Sequence, residues 1–224
     1  MGDGHGARRA LLYVAAALGT RDAAAVREAL EHARAAADAT AVEEVILQSH
    51  LFVGFPDALN ALAAWRELSG LPAPAGLGED AAAWEARGEA VCAAVYGANY
   101  RKLRENVRAL HPDFEGWMVA GGYGRVIGRP GLDLRTRELC IAALLAVWNV
   151  PRQLHSHLRG ALNAGASVDE VDEAVEVACG YLTDDAVAQV GALWSEIRAK
   201  ASSSPRLPAV GETGPGDEGS SAAS

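Results

Sequence analysis

An all-helical fold is what this sequence predicts, and three observations carry the prediction. Alanine, the best helix former, supplies 47 of 224 residues. Aromatic residues make up only 6%, so the side chains that favour strands are scarce and a β-sandwich or barrel is disfavoured. Apolar side chains also recur at helical spacing between start and stop signals along most of the chain.

Taken in order, the first six residues are expected to fray. A helix follows around Leu11 to Leu18, and Thr40-Ala41-Val42-Glu43 has the pattern of a capping box that opens another. Ser69 to Asp80 holds two prolines and three glycines, which forbid a helix and mark a linker. About Asp80 to Leu110 reads as one long helix, bent near Gly97. Thr136 to Val147 is an almost unbroken apolar run suited to a buried helix, and Pro151 restarts the chain as a first-turn proline. From there to Ala164, Leu154, Leu158, Ala161 and Leu162 form one stripe, with Gly165 placed as a left-handed stop. Ser167-Val168-Asp169-Glu170 is a second capping box, and a last helix runs from about Asp184 to Lys200. The stretch from Ala201 to Ser224 is rich in Ser, Gly and Pro and reads as disordered.

The front of the chain repeats the plan of the back. His32 lies 125 residues before His157, and Gly54-Phe55 lies 126 before Gly180-Tyr181. The expected organisation is a front helical repeat at 7–70, a linker and middle helix region at 71–135, a back repeat at 136–200 and a tail at 201–224. The net charge of −9 disfavours a general nucleic-acid binder. No apolar run reaches the roughly 18 residues of a membrane span, and Met1-Gly2-Asp3-Gly4-His5 carries no signal-peptide pattern. Three widely spaced cysteines, Cys92, Cys140 and Cys179, form no Cys-x-x-Cys. A reduced, cytoplasmic protein is the reading these features support.

Two stretches resemble a known family. One runs from Gly121-Gly122-Tyr123-Gly124 through Arg129-Pro130-Gly131-Leu132-Asp133 and Arg137-Glu138-Leu139 to His157-Leu158-Arg159-Gly160-Ala161-Leu162 and Glu170-Val171. The other joins Glu43-Glu44-Val45 to Gly54-Phe55-Pro56. Both are similar to the carboxymuconolactone decarboxylase family, which includes the alkylhydroperoxidase D-like proteins. The resemblance implies an all-helical alkylhydroperoxidase D-like fold, here expected in duplicated form from the repeat above, with assembly into trimers or hexamers and sites between helices. One branch of that family decarboxylates a lactone dicarboxylate in aromatic-compound breakdown. The other reduces peroxides with a Cys-x-x-Cys pair, a histidine four residues on and a glutamate on the preceding helix.

Placing His157 at the family histidine puts Val150 and Gln153 at the cysteine positions and Glu138 at the glutamate. Neither Val nor Gln can attack a peroxide or resolve a disulfide, so peroxiredoxin-type activity is disfavoured. The leading expectation is a cofactor-free, metal-free lyase acting on a small carboxylated lactone or related acid. His157 serves as general acid/base and Glu138 tunes or relays its proton. From Gly121 to Gly165 six arginines stand against Asp133 and Glu138, leaving −13 on the rest of the chain. A basic pocket in an acidic protein suits a di-anionic substrate. Arg129 and Arg125 are the expected carboxylate binders, with Gln153, one turn before His157, beside them to orient the imidazole. His32 is expected to be structural, and His155 to be polar surface or a subunit contact. A homo-oligomer is expected, a trimer favoured. The rival reading is a non-catalytic helical binding or assembly protein that kept the fold.

Overall fold

The computed structural model describes residues 3–203, and every described element is helical. In chain order these are α1 (Asp3–Thr20), α2 (Ala23–Ala36), α3 (Ala39–Ser69), α4 (Ala81–Tyr96), α5 (Tyr100–Leu110) and α6 (Pro112–Gly116). A π-helical segment (Trp117–Ile127) follows, then α7 (Leu134–Val147), α8 (Pro151–Asn163), α9 (Val168–Cys179) and α10 (Asp184–Ser203). Among the described residues no helix is long and apolar enough to cross a membrane.

The core forms where α1 lies against α7. Leu12, Val14 and Leu18 of α1 and Leu139, Ile141 and Leu145 of α7 are all buried. Every residue of α7 from Thr136 to Ala146 is buried, as the apolar run that follows its charged start requires. α1 also packs on α2, α3 and α9, and α7 on α8, α9 and α3. Each of the two central helices is therefore flanked by its own chain successors and crossed by a helix of the other half.

Local chemistry sets the boundaries. Asp133 caps α7, its Oδ1 accepting from the Thr136 backbone N at 3.0 Å. At α9 both halves of the capping box form: the Glu170 N–H donates to Ser167 Oγ at 3.1 Å, and the Ser167 N–H to Glu170 Oε2 at 2.9 Å. At α3 the expected box gives way to a different cap. Asp38 accepts from the N–H groups of Thr40 and Ala41, while the Glu43 carboxylate turns away to the Trp65 indole at 3.2 Å and to Arg66 at 2.6 Å. α3 is two helices joined end to end at Gly54, whose φ of 84° a side chain would strain.

Three other expectations are corrected. The N-terminal helix begins at Asp3 and does not fray through the sixth residue. The middle helix is broken at Gly97 (φ 53°) into α4 and α5, so it is not one bent rod. α10 continues to Ser203, three residues into the stretch expected to be disordered; the remainder of that stretch lies outside the described residues.

The π-helical segment packs along α4 with no side chain between the backbones. A Cβ on Gly124 would overlap the Trp84 carbonyl, and one on Gly88 would overlap that of Val119. α4 leans on α8 through Asn163, whose Nδ2 donates to the Val95 carbonyl at 2.8 Å. This block forms one wall around the residues described next.

Candidate active site

Glu138 sits one turn into α7 and is 0% exposed; His157 is midway along α8 and 6% exposed. Their side chains meet, His157 Nδ1 lying 2.8 Å from Glu138 Oε2. An ionised Glu138 can only accept, which makes Nδ1 the donor and leaves Nε2 to exchange a proton. Glu138 Oε1 is buried with no hydrogen-bond partner. A buried, unpaired carboxylate oxygen is costly, and one beside a histidine marks a place where a proton or a ligand group can be received. Gly160, one turn beyond His157, makes room for the pair: a Cβ there would lie 2.5 Å from Glu138 Oε2 and 2.8 Å from Val95 Cγ1.

Three aromatic side chains surround the pair. The Phe52 ring of α3 meets the imidazole edge-on, centroids 5.8 Å apart. The Tyr123 hydroxyl donates to the Tyr96 hydroxyl at 3.2 Å. Burial pushes the Tyr96 phenol up to about 12, with the Glu138 charge adding to the effect. Burial also pushes Tyr123 up, helped by Tyr96 and Glu138. Both are therefore neutral hydroxyls at pH 7. The thiols are unreactive by the same physics. Burial pushes both Cys92 and Cys140 up to about 12, so neither is a thiolate near neutrality.

The expected carboxylate binders are placed otherwise. Arg129 is already bound: its Nε and Nη2 donate to the Glu44 carboxylate of α3 at 3.0–3.1 Å. The same carboxylate accepts from Arg137, which is 0% exposed and also donates to the carbonyls of Arg129, Pro130 and Leu132. Arg129 and Arg137 thus pin the loop before α7 onto α3, and a substrate carboxylate would have to displace Glu44. Arg125 is exposed and stacks on the Trp84 ring, 5.0 Å from its centroid. Gln153 is exposed and makes no hydrogen bond to His157. His32 is an exposed residue of α2 and not part of the core; Tyr13 occupies the α1 position 125 residues before Glu138. His155 is half-buried and lines a cleft.

Sequence reasoning missed Glu44, Tyr96, Tyr123 and Phe52 as partners of this region. Glu44 had a visible signal, a carboxylate next to another at the start of an apolar helix. The tyrosines had none, because only folding brings α4 and the π-helical segment together. Among the described residues no three His, Cys, Asp or Glu side chains converge as metal ligands would.

Residues 112–196, which include both Glu138 and His157, match the model of the carboxymuconolactone decarboxylase family. The chain contains a carboxymuconolactone decarboxylase family domain. A 4-carboxymuconolactone decarboxylase of Acinetobacter baylyi is 34% identical over 71 residues, covering 32% of this chain and 53% of that protein. Peroxisomal protein 2 of Schizosaccharomyces pombe is 30% identical over 145 residues, covering 61% of this chain and 66% of its own length. The chain thus spans about half of the first relative and just under two thirds of the second. The family domain supplies the Glu138–His157 pair and Tyr123, whereas Tyr96 and Phe52 come from the residues before it.

Proposed function

We propose that this protein is a cofactor-free lyase that decarboxylates a small carboxylated lactone or a related acid. The observation that carries the reading is the buried 2.8 Å contact between His157 Nδ1 and Glu138 Oε2 within the family domain. When the bond from carbon to the carboxylate breaks, carbon dioxide departs and its electron pair stays on the substrate, delocalised into the neighbouring unsaturated carbonyl. Protonation of that carbon by His157 Nε2–H completes the step, with Glu138 holding Nδ1–H and stabilising the imidazolium beforehand. Tyr96, kept as a neutral phenol and accepting from Tyr123, supplies a hydroxyl donor beside the charge.

A family relative is named for 4-carboxymuconolactone, so that compound is the first to try, with other carboxylated lactones beside it. Carbon dioxide release by the full chain is the readout. His157→Gln and Glu138→Gln are each expected to lower kcat by about a hundredfold or more, with circular dichroism unchanged. Absence of turnover on every carboxylated lactone tried would sink the lyase reading. Peroxide reduction with a dithiol donor is expected to stay at background.

One observation favours the second reading, a helical binding protein that kept the fold. The cleft bordered by Tyr96 and Ser156 does not extend to His157. Binding of a carboxylated lactone without its turnover would select that reading.

A further inference from the structure

A cleft of about 270 Å³ opens between α4–α5 and α8; Tyr96 lines it, while Glu138 and His157 do not. Its volume lies just under the roughly 300–1,000 Å³ of sites for drug-sized ligands, which suits a small organic molecule. Two cations line it, Lys102 of α5 and Arg159 of α8, with His155 beside them and the carboxamides of Asn99 and Asn106 as further donors. No carboxylate lines it.

That is unusual for this chain. Acidic residues outnumber Lys and Arg by 29 to 20, and ion pairs take up most of the described arginines. On α5 itself Arg101 pairs with Glu105, Arg104 with Glu89 and Glu115, and Arg108 with Glu115. Lys102 has no such partner among the described residues, nor does Arg159. Glu196 of α10 feels His155 at the cleft's edge: the Lys200 ammonium and, more weakly, His155 hold it below the usual carboxylate range. Lys200 bonds it directly at 2.6 Å. Two cations left unpaired on different walls of one cleft, in an acidic protein, create a local field for an anion.

We infer that this cleft is a binding site for a small dicarboxylate, one carboxylate taken in the fork of Arg159 and the other by Lys102. The planar guanidinium matches a carboxylate through two parallel N–H donors, while the ammonium binds as a point charge. Separate walls call for two separated negative groups, which a single phosphate does not offer. Asn163 holds α8 on α4 through the Val95 carbonyl, so the walls are braced without a ligand. The inference goes beyond the lyase reading and does not need it, because it concerns binding and not turnover.

Titration calorimetry of the full chain with succinate, glutarate and inorganic phosphate tests it. Saturable binding of a dicarboxylate is expected, weakened about tenfold or more by either Lys102→Ala or Arg159→Ala, the worth of a charge-assisted hydrogen bond. Arg152→Ala supplies the control. Arg152 is exposed on the same helix two turns earlier and does not line the cleft, so its removal lowers the net charge equally and should leave binding within about twofold. All three side chains are exposed, and unchanged thermal unfolding confirms that the variants fold. The inference is overturned by absence of saturable dicarboxylate binding, by equal weakening from Arg152→Ala, or by phosphate binding as tightly as the dicarboxylates. Because no variant touches His157 or Glu138, a failed decarboxylation assay leaves this result unaffected, and the reverse holds too.

Discussion

Gly160 shows how much one missing side chain decides. With glycine there, the Glu138 carboxylate fits between α7, α8 and Val95; a methyl group would press on Glu138 Oε2 and Val95 Cγ1 together. Gly160→Ala is expected to destabilise the protein by about 1–3 kcal/mol through overpacking. It should also shift the His157 imidazole proton resonances, because the carboxylate must move off Nδ1; unaltered resonances would mean that the pair has slack. Glu44 is the second decisive residue. Burial lowers the Arg137 guanidinium pKa and Glu44 counteracts it. Glu44→Ala leaves that charge buried without its carboxylate and should cost about 3–5 kcal/mol in urea unfolding. A loss below 1 kcal/mol would show that the carbonyls of the 129–132 loop suffice for Arg137.

Among the elements, α7 depends on its cap. Hydrogen bonds from Thr136 and the charge of Arg135 outweigh burial, which acts the other way, and hold the Asp133 carboxyl below its ordinary value. A group whose pKa is depressed by folding stabilises the fold above its unfolded value and loses that contribution as the pH falls through the folded one. Asp133→Ala should therefore cost about 1 kcal/mol at pH 7. The gap between variant and wild type in thermal unfolding should begin to close below about pH 4. A gap that persists undiminished at pH 2 would show that side-chain packing, not the carboxylate, is responsible. The π-helical segment is held differently, by backbone contact with α4 at Gly88 and Gly124, and it carries Tyr123 to Tyr96.

For the whole molecule, apolar surface is the unresolved pressure. Phe55 is 64% and Leu59 58% exposed on the second half of α3, and Leu51 is exposed on the first half. They cluster next to Phe52, which touches His157. Neighbouring exposed apolar residues of this kind mark interaction surfaces. We propose self-association, with a trimer favoured, on the ground that the repeat expected from the sequence would let each chain stand for two units of a six-unit ring. The midpoint of thermal unfolding should then rise with protein concentration. Light scattering should report a mass near three times that of the chain. A monomer at micromolar concentration would reject the oligomer, and a dimer would reject threefold closure.

Many of the helices and several caps were legible in the residues themselves, since alanine content, apolar spacing and side-chain caps act over a few positions, whereas α2, α6 and the π-helical segment were not read from the sequence. Glu138 and His157 were picked out by the family resemblance, and their nineteen-residue separation across one short turn is what lets neighbouring helices bring them together. The functions of the arginines were not. Arg129 looked free because its partner, Glu44, lies 85 residues earlier, and only the packing of α3 against the loop before α7 brings the two charges together. In the same way Lys102 and Arg159, 57 positions apart in the chain, become one cleft only when α4 is laid on α8. Short-range hydrogen bonding and apolar periodicity determine which segments are helical; long-range burial determines which charges are neutralised and which remain open to a ligand.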